Sequence, residues 1–299
     1  MDIEIRNLEK HYGKQVAVNK LSLRIPSGNI YGFIGANGAG KTTTMKMMVG
    51  LLKKDKGDIL FDGKKIQSLD AVIARKIGVF ISKPNYYPNL SAYENLLYLQ
   101  KITNQPEEEV DRVLKLVHLD GVRDKRVSEF SLGMKQRLGL AIAFLNDPDV
   151  YILDEPTNGL DPKGVYEIRE LLYHLSHDEG KTVFISSHNL AEIERISDRI
   201  CIIDKGNMLF EGTVDDLYKT QEIEYCLVAD QEEKTESILC NRGLQYEKNG
   251  NTYLVKSQKD KIPELVKTLV DQAINISEIS PNNSLESIYL ALTGKKDGE

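Results

Sequence analysis

One eight-residue stretch, residues 35–42, limits the possible folds of this chain more than any other segment. It reads Gly-Ala-Asn-Gly-Ala-Gly-Lys-Thr, follows the apolar run 30–34 and precedes a helix-like segment, 43–52. A GxxxxGKT pattern between a strand and a helix is typical of loops that wrap the phosphates of a nucleotide, because glycines let successive backbone N–H groups turn inward. We therefore expect an α/β fold that binds a nucleoside triphosphate at this loop.

The residue types of the loop predict individual roles. Lys41 is expected to bridge the β- and γ-phosphates, and Thr42 to offer its hydroxyl to Mg²⁺. The start of the following helix adds positive potential to the same place. The other predicted nucleotide contacts in the loop are Gly35, Ala36, Asn37, Gly38, Ala39, Gly40 and Thr43.

Two solid apolar runs further along the chain predict buried parallel strands. The run 150–153 ends in Asp154-Glu155, and the run 182–185 ends in Ser186-Ser187-His188. Ligands of open α/β sheets bind at the carboxyl ends of the strands, so both polar clusters should face one site. Alternating strand and helix patterns continue to about residue 217, which predicts a first domain over residues 1–217.

The pattern changes after Tyr218. Strand, helix, strand, strand, helix and strand signals follow one another over residues 222–279, and Asn249-Gly250 marks a hairpin between the two middle strands. This order predicts a small ferredoxin-like α+β domain over residues 218–299, which ends with a helix over 284–292.

The segment 130–137, Phe-Ser-Leu-Gly-Met-Lys-Gln-Arg, lies between the phosphate loop and the strand that ends in Asp154. It resembles the signature of the ABC transporter ATPases, usually written LSGGQ. The resemblance covers about residues 2–217 and implies a P-loop NTPase cassette with a mostly parallel sheet and a helical subdomain at about 84–146. It also implies ATP hydrolysis with Mg²⁺. The looser alternation of residues 3–24, with a turn at Gly13, itself predicts an antiparallel β edge.

The resemblance assigns roles to the two strand-end clusters. Asp154 is similar to the carboxylate that orients Mg²⁺, and Glu155 to the general base that polarises the attacking water. His188 resembles the histidine that contacts the γ-phosphate.

The resemblance further implies a site shared between two copies of the cassette. Ser131 and Gly133 are expected to contact the γ-phosphate held by the other protomer's loop, and Asp161 to lie at the dimer seam. Tyr12 resembles the aromatic residue that stacks on adenine. The expected assembly is a homodimer or heterodimer of cassettes on separate membrane-spanning subunits.

One position departs from the family pattern. Relatives carry glutamine after the strand 78–81, where this chain has Ser82. Because the serine side chain is shorter, we expect Ser82 to reach Mg²⁺ only weakly, through a bridging water.

Composition narrows the possible partners and the compartment. The 39 Lys and Arg against 45 Asp and Glu give a net charge of −6, so no overall positive field favours nucleic acid. Three cysteines without metal-site spacing fit a reducing cytoplasm. The chain has neither a signal-peptide pattern nor the ~20 apolar residues of a membrane span, so we expect a cytoplasmic protein held at the inner face of the membrane by its partners.

Two further segments, 84–95 and 284–290, resemble drug and antimicrobial-peptide exporters of the bacitracin-resistance and lantibiotic-immunity type. They favour export of a peptide, drug or similar amphiphile. A nucleic-acid-remodelling ATPase is the alternative, although the ninety or so residues between Gly40 and Ser131 leave no room for a long coiled coil at ~1.5 Å per residue. The C-terminal domain is either a regulatory module or a passive dimer-stabilising one.

Overall fold

The computed structural model describes residues 1–65, 74–82, 86–103, 106–220, 223–282 and 285–294. These residues form two compact units, Met1–Glu211 and Gly212–Glu299. The predicted domain boundary after residue 217 falls inside the helix Val214–Thr220, so the division of the chain lies a few residues earlier than the sequence indicated.

The first unit combines two sheets with helices. Its strands are β1 (Ile3–Tyr12), β2 (Gln15–Ile25), β3 (Ile30–Ile34), β4 (Lys56–Phe61), β5 (Lys64–Lys65), β6 (Ile77–Phe80), β7 (Val150–Asp154), β8 (Thr182–Ser187), β9 (Arg199–Asp204) and β10 (Asn207–Gly212), the last of which reaches the boundary. Its described helices are α1 (Lys41–Met48), α2 (Ala92–Thr103), α3 (Glu108–Leu116), α4 (Leu132–Phe144), α5 (Pro162–His177) and α6 (Leu190–Ile196).

The larger sheet brings five parallel strands side by side. Its order is β10-β9-β3-β8-β7-β6, and β9, β3, β8, β7 and β6 pair in parallel with their neighbours. Every residue of β3, β7 and β8 is buried, which is why these strands read as unbroken apolar runs. The prediction of a mostly parallel α/β sheet is confirmed, and the carboxyl ends of these strands meet at one edge.

The smaller sheet of this unit is antiparallel, as predicted for the N-terminal edge. Its order is β2-β1-β4-β5. The β1–β2 hairpin pairs Tyr12 with Gln15 across Gly13, whose φ of +59° suits glycine. This turn leaves Tyr12 half-exposed beside the phosphate loop, where the two line one cleft.

The second unit contains the predicted β-α-β-β-α-β succession. Its elements are α7 (Val214–Thr220), β11 (Ile223–Ala229), α8 (Glu232–Asn241), β12 (Tyr246–Asn249), β13 (Thr252–Ser257), α9 (Ile262–Asp271), β14 (Ile276–Pro281) and α10 (Leu285–Thr293). The sheet order is β12-β13-β11-β14, with antiparallel pairing throughout, as a ferredoxin-like unit requires. Leu227, Tyr253 and Leu269 belong to its apolar core, and the predicted hairpin turns at Gly250, at φ +62°.

Close packing at Gly78 on β6 gives a first stability prediction. A Cβ at this position would lie 2.3 Å from the Ala143 carbonyl oxygen and 2.8 Å from Pro148 Cγ. We expect Gly78→Ala to lower the free energy of unfolding by about 1–3 kcal/mol, because backbone must shift to make room. Gly121→Ala is the matched control, since an added Cβ there meets no atom within 4 Å. Thermal denaturation of both variants checks this, and equal midpoints would contradict it.

Candidate functional site

A cleft opens where the phosphate loop meets the ends of the parallel strands. It has a volume of about 380 Å³, within the range typical of small-molecule sites. Its lining residues are Tyr12, Gln15, Ala17, Ala36, Asn37, Gly38, Gly40, Lys41, Thr42, Thr43, Glu155, Asn158 and His188. Most of the residues predicted to bind ATP, and both predicted catalytic residues, therefore surround one cavity.

Glycine geometry shapes the loop itself. Gly38 and Gly40 have φ values of +84° and +110°, which L side chains rarely adopt. Gly40 caps α1, and a Cβ there would come within 2.5 Å of the Ala17 carbonyl oxygen. Gly35 is similarly close to Ile203 of β9. The loop therefore passes tightly against β2 and β9 and presents the N-terminus of α1 to the cleft, an arrangement that favours an anion.

The side chain of Lys41 is buried in the cleft and fixed by a hydrogen bond to the phosphate loop. It is 6% exposed, and its Nζ donates a hydrogen bond to the Gly35 carbonyl oxygen at 2.5 Å. The same Nζ lies 3.5 Å from Glu155 Oε1. The ammonium group is thus fixed between the phosphate loop and the end of β7, beside the predicted general base.

Thr42 and Asp154, the two main predicted ligands of Mg²⁺, are hydrogen-bonded to each other. The Thr42 hydroxyl donates to Asp154 Oδ2 at 2.7 Å, and the Ser186 hydroxyl donates to Asp154 Oδ1 at 2.6 Å. Hydroxyl and carboxylate oxygens suit Mg²⁺, which is usually held by one or two carboxylates together with water and substrate phosphates. In the described parts of the chain no cluster of three or more His, Cys, Asp or Glu residues could hold a metal, so such an ion would depend on a few protein oxygens.

Glu155 and His188 contact each other at the mouth of the cleft. His188 Nδ1 is hydrogen-bonded to Glu155 Oε2, and Asn158 Nδ2 donates to the same oxygen at 3.3 Å. The Glu155 side chain is 19% exposed, whereas His188 is half-exposed. A carboxylate in this position can accept a proton from a water in the cleft, with the imidazole oriented beside it.

Other predicted site residues lie outside the lining of the cleft. Ser131 caps α4 by accepting a hydrogen bond from the Met134 amide at 3.2 Å, and Gly133 follows in the first turn. Asp161 caps α5, where its Oδ1 accepts from the Gly164 amide at 2.9 Å. The three residues therefore mark two helix starts.

Ser82 lies at the same edge of the sheet as Asp154. Phe80 pairs with Leu153, so the two neighbouring strands β6 and β7 end together. Ser82 is exposed, has a φ of +63° and is not part of the lining of the cleft. Its predicted water-mediated role at the metal stays a prediction.

Several residues at or beside the cleft had no individual role in the predictions from sequence. Gln15 and Asn158 line the cleft, and Ser186 holds both Asp154 and the Glu155 amide, the latter at 3.1 Å. Ser186 was visible as a polar residue at a strand end, but its partner depends on the pairing of Asp154 with Ser186 across β7 and β8. Asn158 belongs to the segment 158–161 that resembles the loop at the dimer seam, but it was not predicted to line the cleft, and Gln15 carried no signal beyond its nearness to Tyr12.

The described part of the chain contains no helix long and apolar enough to cross a bilayer.

Comparisons with known proteins agree with this geometry. Residues 18–158 match the family model described as ABC transporter. An uncharacterized ABC transporter ATP-binding protein of Bacillus subtilis (strain 168), YhcH, is 40% identical over 99% of this chain and 97% of its own. The bacitracin transport ATP-binding protein BcrA of Enterococcus faecalis is 45% identical over 73% of this chain and 71% of its own. A dimeric post-hydrolysis structure of the cassette MJ0796, bound to ADP and Pi, superposes with a TM-score of 0.66 at 26% identity, over 71% of this chain and 98% of that one.

Proposed function

This chain belongs to the ATP-binding subunits of ABC transporters, and from that premise we propose that it drives export of a peptide, drug or similar amphiphile. The chain is an ATPase. The observation that carries the proposal is the meeting of Lys41, Thr42, Glu155 and His188 around one cleft. Export is supported by the 45% identity to a bacitracin transport protein over 73% of this chain.

The residues at the cleft have separate roles in ATP hydrolysis. Lys41 neutralises the β- and γ-phosphates, and the N-terminus of α1 adds its oriented N–H groups. Glu155 accepts the proton of the attacking water, and His188 fixes the position of that carboxylate and contacts the γ-phosphate. Thr42 and Asp154 would hold Mg²⁺, which spreads charge away from the phosphates when it is bound.

Ser131 and Gly133 serve a second copy of the cassette. They lie outside the cleft at the N-terminus of α4, where backbone amides suit an anion. Next to them, Leu132 is 67% exposed, so its apolar side chain is available to the surface of a partner chain. Two chains in head-to-tail contact place each signature over the partner's ATP, with Asp161 at the seam. Closure on ATP and reopening after hydrolysis then supply the mechanical step.

The movement is delivered to separate membrane subunits, which place the chain on the inner face of the membrane. The test is recovery of those subunits when the tagged chain is purified from membranes in mild detergent. The proposal predicts a polytopic membrane protein in amounts comparable to the chain. Recovery of ribosomes or DNA with no membrane protein would favour the nucleic-acid alternative.

Complementation between two inactive variants tests the shared site. Lys41→Met removes the ammonium group, and Ser131→Asp keeps a good helix cap but sets a negative charge against the γ-phosphate. We expect each variant to be inactive alone and an equimolar mixture to recover up to about a quarter of wild-type ATPase activity, because half of the dimers then hold one intact site.

Dilution supplies a second readout of the same proposal. Specific activity of the wild-type chain should fall as the concentration drops below that needed for dimers. A mixture no more active than its parents, together with full activity in a strictly monomeric sample, would exclude a shared site.

A further inference from the structure

Gln136 connects α4, the signature helix that Ser131 caps, with Glu155 of the same chain. The Gln136 side chain itself belongs to α4. Its Nε2 donates to the Glu155 carbonyl oxygen at 3.1 Å and to the Pro156 carbonyl oxygen at 3.0 Å. The two amide hydrogens of Gln136 therefore donate to backbone carbonyl oxygens at and immediately after the general base.

The backbone of Glu155 has an unusual conformation that depends on such support. Its φ is +54°, in the left-handed region that residues other than glycine rarely adopt. On the other side of the residue, the Glu155 amide donates to both the carbonyl and the hydroxyl oxygen of Ser186, each at 3.1 Å. Ser186 and Gln136 therefore hold the peptide groups on either side of the carboxylate, and non-glycine backbone in this region persists where its surroundings fix it.

The helix that carries Gln136 is anchored to its surroundings. Arg137 donates to the Val117 carbonyl oxygen at 3.0 Å and to Glu167 at 2.6 Å, and its guanidinium holds the pKa of the Glu167 carboxyl below its ordinary value. At its start, α4 lies against the segment before α5, because a Cβ at Gly159 would come within 2.7 Å of Leu132 Cδ2. A displacement at the N-terminus of α4 therefore reaches Gln136 through one short, well-packed helix.

We propose that Gln136 is a positioning residue that couples the signature helix to Glu155 in the same chain, so that contact with the partner's nucleotide sets the carboxylate of this chain's own site. The proposal rests on the two-copy site proposed above. It adds a link between the two ATP sites of the dimer. The signature of one chain completes the partner's site, and Gln136 of that same chain transmits any shift of its signature to its own Glu155.

The first experiment separates turnover from nucleotide binding. Gln136→Met keeps the length of the side chain and removes both donors. We expect kcat to fall about tenfold while the affinity for ATP changes little, because Gln136 lies outside the lining of the cleft. Gln258→Met, in the second unit, is the matched control and should leave both parameters unchanged. An equal loss in ATP affinity, or an unchanged kcat, would overturn the proposal.

Mixed dimers test whether the effect stays within one chain. In a dimer purified through two different tags, Glu155→Gln in one chain keeps ATP in both sites but leaves one site that hydrolyses it, formed by the loop and Glu155 of the other chain and the signature of the Glu155→Gln chain. Gln136→Met is then placed in either chain. The proposal predicts loss of turnover only when it lies in the chain that contributes Glu155.

The outcomes distinguish this proposal from the shared site itself. Loss from the Glu155→Gln chain alone, or equal loss from both, would show that Gln136 acts through the signature or through general stability, and would overturn the coupling role. Failure of the Lys41→Met and Ser131→Asp mixture, together with full activity of a strictly monomeric sample, would instead reject the shared site. The coupling proposal would then be rejected with it, whereas a working mixture with no dependence on placement rejects only Gln136.

Discussion

Replacing Glu155 with glutamine should lower ATP turnover by about 10²- to 10⁴-fold and leave ATP binding intact. The substitution keeps the size of the side chain, so the contacts with His188 and Asn158 remain possible, but an amide cannot accept the proton of the attacking water. Since opening follows hydrolysis in the proposed cycle, the variant should also accumulate as an ATP-bound dimer. Steady-state ATPase assays and size-exclusion chromatography with and without ATP measure the two effects.

Glu170→Gln provides the matched control for this prediction. Glu170 is an exposed acid on α5, outside the lining of the cleft, so its substitution makes the same chemical change away from the site. It should retain normal turnover and show no ATP-trapped dimer. If Glu155→Gln were to hydrolyse ATP at the wild-type rate, the general base would have to be another residue.

Replacing Lys41 with methionine should have its main effect one step earlier, on binding. The ammonium group is buried, and removing one member of a buried charge pair typically costs about 2–5 kcal/mol, or on the order of 30- to several-thousand-fold in affinity for ATP. The loss includes the contact to the Gly35 carbonyl and leaves Glu155 without its cation at 3.5 Å. Titration with a fluorescent ATP analogue measures the affinity directly.

Lys46→Met tests whether the loss follows from the charge at position 41 or from any change in α1. Lys46 lies in the same helix but outside the lining of the cleft. Its variant should bind ATP with wild-type affinity and unfold at a similar temperature. An affinity of Lys41→Met within a few-fold of wild type would contradict the assigned role, whatever its turnover.

The parts of the site that local sequence determines were predictable. The phosphate loop and its flanking strand are contiguous, and the two polar clusters that include Asp154 and His188 follow buried strands whose apolar runs are unbroken. In a parallel sheet such strand ends meet at one edge, so their convergence follows from the fold class alone.

The parts that depend on register and backbone conformation were not predictable. Ser186 touches Asp154 only because these two residues are paired across neighbouring strands. Gln136 meets Glu155 through the packing of a helix against a strand end, and no local pattern indicates that packing. Helix α1 ends at Met48, earlier than its apolar pattern suggested, because Gly50 adopts a left-handed φ of +70°.

The order of the parallel strands has a consequence for how the protein acquires its activity during folding. The loop after β3, the acidic pair at the end of β7 and the histidine after β8 become neighbours only when distant parts of the chain have paired in the correct register. Long-range pairing of this kind is completed late and slowly. Binding of ATP therefore indicates that assembly of the first unit is complete. Nucleotide present during refolding should stabilise the folded sheet, because it binds only the folded state, and should not speed the earlier stages of folding.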